Sequence, residues 1–272
     1  MKTGNHNDLL IRNMLYSCVD KKQRGNEQYV YEHSLGYIVS GQVNLETNID
    51  TVICQAGQLG LVKKNQLIRS QKIPPADGSG FKAVNIILTQ EILRMYSAEN
   101  HIVPDGNYTG EPVQILADDP VIKGFFNSLL PYFDHPAQLT DRLIKLKTNE
   151  AIELLLQRNS HWKNMLFDFS EPHKIDIEQF MNENFKFKVP AAHFAQLTGR
   201  SITVFKKDFE KIFKTSPGRW LQKKRLEEAY YQIKQQGRKP SEVYLDVGFE
   251  NLSHFSYAFK NEYGISPSLL TS

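Results

Sequence analysis

A chain of 272 residues is long for one average domain and comfortable for two. With 40% hydrophobic and 23% charged residues, it has the composition of a globular protein that buries real cores, which excludes a disordered chain. The formal charge of +3 is small but unevenly spread. From Val189 onward thirteen Lys and Arg stand against eight Asp and Glu, leaving that stretch at +5 and the remainder at −2. A basic C-terminal segment on a slightly acidic body suggests a polyanionic partner for that segment.

Cys18 and Cys54 are far apart and lack metal-ligand or clustered spacing, so free, buried thiols are expected, with no zinc and no disulfide framework. Residues Met1 to Asn13 lack the apolar core of a secretion signal, and no run approaches the ~18 apolar residues of a membrane span. A reducing cytoplasm is the expected compartment, and the triplets at Asn107 and Asn251 are then chance matches to a glycosylation motif.

From about Gln28 to Leu88 the chain reads as short strands: Tyr29 to Tyr31, Gly36 to Val39, Val43 to Leu45 and Val52 to Cys54. Ser40-Gly41, Asn48, Gly57 and Gly60 punctuate them as turn residues. Pro74 to Gly80 is a loop, and Ala83 to Leu88 resumes as a strand. Short strands at close spacing predict a barrel or a double-sheet jelly roll. After Pro120 the period changes, and Val121 to Tyr132 and Leu139 to Phe167 read as helices. In the second, Ile144, Ala151 and Leu155 form one apolar stripe, which either packs on the sheet or pairs with a second chain. Residues 169–174, including Ser170, Glu171 and Pro172, form the best linker. This gives an α+β chain of two domains: residues 1–168 with a β-barrel or jelly roll and helices, and an all-helical 175–272.

The helical part repeats itself at an offset of fifty residues. Ser201 falls on Asn251, both good N-cap residues. Ile202 falls on Leu252, Phe205 on Phe255, Phe209 on Phe259, Phe213 on Tyr263 and Ser216-Pro217 on Ser266-Pro267. Each unit is thus an amphipathic helix with an aromatic inner face. The outer faces correspond too, with Thr203, Lys206, Lys207 and Glu210 in the first and Ser253, Ser256, Tyr257 and Lys260 in the second. Such hydrogen-bonding and cationic residues suit a helix laid in a DNA major groove, where bases offer donors and acceptors between walls of phosphate.

A short helix closed by glycine precedes each unit: Pro190 to Thr198 before Gly199, and Ser241 to Val247 before Gly248. Helix, turn and capped helix make a helix-turn-helix, here twice, at about 190–213 and 241–264. Between them Ser216 and Pro217 can start a helix running to Gln236, a strut on the order of 30 Å at ~1.5 Å per residue. Successive major grooves open on one face of DNA every ~34 Å. Lys223, Lys224 and Arg225 on the strut are candidates for phosphate.

These runs resemble the AraC/XylS family of bacterial transcription regulators. The resemblance is carried by Phe205 to Phe209, Thr215 to Leu221, Lys224 to Ala229, Val247 to Phe249, Ser253 to Ser256, Ala258 to Lys260 and Tyr263 to Pro267. It implies a DNA-binding transcription regulator that reads bases at positions matching Thr203, Lys206, Lys207, Ser253 and Tyr257. Where Tyr257 sits, a long polar side chain or arginine is common in that family. Gly36 to Leu61 more loosely resembles the family's cupin-like sensor domain. The resemblance also implies activation through RNA polymerase, homodimerisation, and control by a small molecule or a protein. The DNA-contacting set expected is therefore Ser201, Thr203, Lys206, Lys207, Asn251, Ser253, Ser256, Tyr257 and Lys260, with no cofactor.

The rival reading is a cupin-type metalloenzyme or small-molecule-binding protein with a helical appendage. A cupin metal needs two or three His and a carboxylate converging on one ion. The strand region holds His33 alone, and its neighbour Glu32 would point to the opposite face of a strand. Asp118-Asp119 before Pro120 reads as a helix start, and no catalytic triad, P-loop or dinucleotide fingerprint is present.

Overall fold

A computed structural model describes residues 8–116 and 119–271, with only the backbone of 23–28 and 271 considered. Most of the stretch read for a secretion signal, Met1 to Asn7, and Asp118 of the expected helix start lie outside the described residues. The chain divides into two compact units, one ending at Ser170 and the other beginning at Glu171.

In the first unit the strands run β1 (Leu9–Ile11), β2 (Met14–Val19), β3 (Gln23–Val30), β4 (His33–Ser40), β5 (Gln42–Glu46), β6 (Thr51–Gln55), β7 (Leu59–Val62), β8 (Gln66–Ile73), β9 (Phe81–Leu88) and β10 (Val113–Leu116). They form two antiparallel sheets, ordered β1-β2-β9-β4-β7-β10 and β3-β8-β5-β6. Among the described residues no ladder joins the sheets, so the arrangement is the jelly-roll alternative and not a closed barrel. The six-stranded sheet ends in a three-residue and a four-residue strand, too short to continue the hydrogen bonding. The fold extends the expected strand region: β2 precedes it, and β8 lies within it at residues whose Gln, Arg, Ser and Lys conceal the alternation in sequence. Gly60, read as a turn residue, lies inside β7 opposite Gly36 of β4.

Side-chain alternation gives the six-stranded sheet two buried faces. Ile38, Phe81 and Ala83 point toward the smaller sheet and join Val43 and Cys54 in one apolar cluster. Leu35, Tyr37, Val84, Ile86 and Leu88 face the helices α1 (Gln90–Asn100), α2 (Pro120–Asp134), α3 (Asp141–Arg158) and α4 (Lys163–Leu166). Tyr37 stacks on Phe126 of α2 with ring centroids 5.3 Å apart. Local caps start these helices: Thr89 accepts from Ile92 N–H, Asp119 from Val121 and Ile122 N–H, and Thr140 from Leu143 N–H.

The span Leu139 to Phe167 is not one helix. At Asn159 the backbone is extended, and the Asn159 side chain accepts from His161 N–H at 3.0 Å, starting a new turn. The break brings the consecutive Met165, Leu166 and Phe167 into the core, which a single helical face could not do. The stripe Ile144, Ala151 and Leu155 is 8%, 1% and 0% exposed, within the same core. It packs on its own sheet, and a charge at Leu155 would disrupt that core before it reported on any partner.

The second unit is helical: α5 (Ile177–Asn184), α6 (Ala191–Leu197), α7 (Ile202–Phe213), α8 (Pro217–Lys234), α9 (Pro240–Asp246), α10 (Leu252–Tyr263) and a 3-10 turn at Pro267–Thr271. Phe205, Phe209, Phe255 and Phe259 are fully buried. Trp220 of α8 packs on Phe209 and Phe213, with centroids 5.7 and 4.7 Å away. Farther along α8, Tyr230 packs on Phe259 and Tyr263 at 6.3 and 4.8 Å. One strut therefore carries both helix-turn-helix units through equivalent aromatic seams.

Candidate nucleic-acid interface

The geometry of each recognition helix follows from its cap and its inner face. Ser201 accepts from Val204 N–H at 3.3 Å, and Asn251 from Ser253 and His254 N–H at 2.8 and 3.1 Å. These acceptors are engaged in capping, and among the described residues the Ser201 hydroxyl and the Asn251 amide N–H groups donate no hydrogen bond. With Phe205 and Phe209 turned inward, ~100° per residue places Thr203 and Lys207 opposite the core, with Lys206 on one flank. All three are exposed. The equivalent Ser253 and Tyr257 are exposed as well, and Lys260 is exposed one turn on, whereas Ser256 is half-buried and set back from the surface.

The outer faces extend beyond the residues picked out from the sequence. Lys211 and Asn261, each four residues beyond Lys207 and Tyr257, continue the exposed rows. Continuing the i, i+4 series by one step would have found both. Val204 is exposed beside Thr203, and the ring of the equivalent His254 packs 5.6 Å from that of Phe249. Among the described residues Lys206, Lys207 and Lys211 make no ion pair, so their charge is directed to solvent.

The strut behaves differently from the expectation. Arg225 does not present its guanidinium to a phosphate: Nε donates to Phe185 O at 2.8 Å and Nη2 to Phe187 O at 2.9 Å. These carbonyls lie just beyond the end of α5, and the fixed fork of guanidinium donors is committed to them. Lys223 is exposed, while Lys224 lies 3.8 Å from Glu227 and over the Trp220 ring. Both lysines line an open cleft of about 580 Å³ together with Arg219 and Glu262. Ser216 occupies the N-cap of α8 without a side-chain capping bond.

Two glycines set the turns between paired helices. Gly199 has φ +66° and Gly248 φ +91°, in the left-handed region that favours glycine. A Cβ at Gly248 would lie 2.7 Å from Lys186 O and 2.9 Å from Arg225 Nε, and one at Gly199 would lie 2.5 Å from His173 O. Gly248→Ala and Arg225→Met are each expected to destabilise the second unit by about 2 kcal/mol or more, from left-handed strain and unsatisfied carbonyls respectively. Thermal melts read the loss, and the salt dependence of DNA binding by the folded protein should not change. A reduced salt slope for Arg225→Met would return that residue to the phosphate-contacting set.

Comparison with known proteins bears on both units. Residues 33–169, half of the chain, match the family model described as the ExsA N-terminal regulatory domain, and residues 194–271 match a helix-turn-helix domain. The chain belongs to the AraC/XylS family of transcriptional regulators. Its relatives in the family include the virulence regulon transcriptional activator VirF of Yersinia enterocolitica, 23% identical over 248 residues, covering 88% of this chain and 90% of VirF. The regulator ExsA of Pseudomonas aeruginosa is 22% identical, with 87% and 85% covered. Among solved structures, apo ToxT from Vibrio cholerae aligns over 96% of this chain and 97% of its own at 14% identity, with a TM-score of 0.48. As an AraC/XylS member the chain is a DNA-binding transcriptional regulator, and the metalloenzyme reading is set aside.

The N-terminal unit of this AraC/XylS protein buries the one histidine weighed as a metal ligand. His33 is fully buried, and its Nδ1 accepts from Lys64 N–H at 3.2 Å. Glu32 turns away and accepts from Gln90 N–H at 3.0 Å, at the start of α1. Among the described residues no three His, Cys, Asp or Glu side chains converge as a metal site, and no helix is long and apolar enough to cross a membrane.

Proposed function

We propose that residues 175–272 lay α7 and α10 in successive major grooves of one duplex. Thr203, Lys206, Lys207, Ser253 and Tyr257 meet base edges, Ser256 and Lys260 flank them, and Ser201 and Asn251 hold the two helix N-termini beside phosphate. The supporting observation is the pair of capped helices with polar, exposed outer faces, carried by one eighteen-residue strut. At ~1.5 Å per residue that strut is about 27 Å long, close to the ~34 Å between successive grooves.

Residues 1–168 receive the controlling signal and support a homodimer, with 169–174 as the linker to the DNA-binding part. Joining two such parts raises the effective concentration of the second at its site. Relatives named as transcriptional activators support activation; in this reading the chain acts in the cytoplasm, through contact with RNA polymerase. Selection of random duplexes by the purified full chain tests the groove assignment. It should enrich a two-part site whose halves lie about one helical turn, ~10 base pairs, apart. Enrichment of a single short element, or of nothing above non-specific binding, would overturn it.

A further inference from the structure

We infer that Tyr257 reads thymine, through its C5-methyl group, so that the two recognition helices differ in chemistry: α7 grips by charge and α10 selects an apolar base edge. The inference rests on the groove assignment above and adds a base identity to it.

The ring lies two residues from both Phe255 and Phe259, hence ~200° around the helix from each, on the side opposite the core. At 69% exposure it is the most exposed aromatic side chain among the described residues. No hydrogen bond, ion pair or ring contact ties it among them. Its neighbours one turn away, Ser253 and Asn261, are polar and exposed, so the ring stands alone as the apolar element at the middle of that face.

The major groove offers one apolar feature among its donors and acceptors, the thymine methyl. A ring held against a guanine, adenine or cytosine edge would leave that edge's polar atoms without water or partner, which is unfavourable. Against thymine the ring covers the methyl, while the phenol oxygen remains free for a phosphate or water. The fifty-residue repeat sharpens the contrast, because Lys207 occupies the equivalent place on α7. A lysine there suits guanine O6 and N7.

The test uses the full chain and the best duplex from random selection, with each thymine replaced singly by deoxyuridine, which lacks only the methyl. One position should weaken wild-type binding about four-fold, the loss expected for one buried methyl. Tyr257→Phe should retain that sensitivity and Tyr257→Ala should lose it. Tyr257→Lys should move the selected base at that position from thymine to guanine. The inference fails if no thymine is sensitive, if the selected site contains none, or if sensitivity persists in Tyr257→Ala. Insensitivity to deoxyuridine with continued dependence on Lys206 and Lys207 removes the thymine assignment alone. Failure to select any duplex removes the groove assignment and this inference with it.

Discussion

Lys206→Ala/Lys207→Ala is expected to weaken binding to the selected duplex by about 30- to 1000-fold, or roughly 2–4 kcal/mol, while leaving the melting temperature nearly unchanged. Both side chains are exposed and carry no structural ion pair among the described residues, so removing them costs the fold little. The loss divides by mechanism. A lysine on phosphate releases a counterion, and its removal lowers the slope of log K against log salt by about 0.9. A lysine on a base edge leaves the slope nearly intact and relaxes the sequence preference at one position. Anisotropy titrations between 50 and 200 mM salt separate the two, and unchanged binding by the double variant would withdraw α7 from the groove.

Acid should loosen the N-terminal unit well above the carboxylate range. Burial, with Lys64 and Lys63 nearby, pushes His33 down from its ordinary 6.5 to about 3. The folded unit therefore resists a proton that the unfolded chain accepts. The stability this neutral imidazole provides is complete above pH ~6.5 and is lost as pH falls toward 3. At pH 4.5, two units below the unfolded value, the loss is on the order of 3 kcal/mol. Glu32, which burial holds above its ordinary range, works in the opposite direction by accepting its proton early.

Trp162 lies in the first unit's core and Trp220 in the second, so a Trp220→Phe chain reports the N-terminal unit by fluorescence. Urea midpoints in that chain should fall from pH 7 to 4.5, and His33→Gln should flatten the fall. A pH-independent midpoint in the parent would show that His33 titrates in the folded state near its ordinary value.

The C-terminal half was largely legible because its signals are local. Caps at Ser201 and Asn251, aromatic residues at steps of three and four, and glycines closing the short helices act within one or two turns of chain. The repeat then allowed each half to check the other. The short helix α5, which starts at an Asp176 cap, lies in the stretch expected to be helical but has no bounds legible in sequence, and the strut ends at Lys234, two residues before the expected Gln236. The outer face was read one step short, at Lys211 and Asn261.

Elsewhere the sequence specified an apolar face or a charged group without specifying its partner. The stripe Ile144, Ala151 and Leu155 was plain, but only packing decided that the first unit's own sheet covers it. Arg225 looked like a phosphate ligand until its carbonyl partners, 38 and 40 residues away, were in place. Strand β8 and the pairing of Gly36 with Gly60 likewise depend on ladders between distant segments. By itself, then, the sequence determined two capped, amphipathic recognition helices at fixed spacing, because helical periodicity is a short-range property. Tertiary structure decided which surfaces remain exposed and which cations are committed to the fold, because burial and long-range hydrogen bonds exist only once distant segments meet.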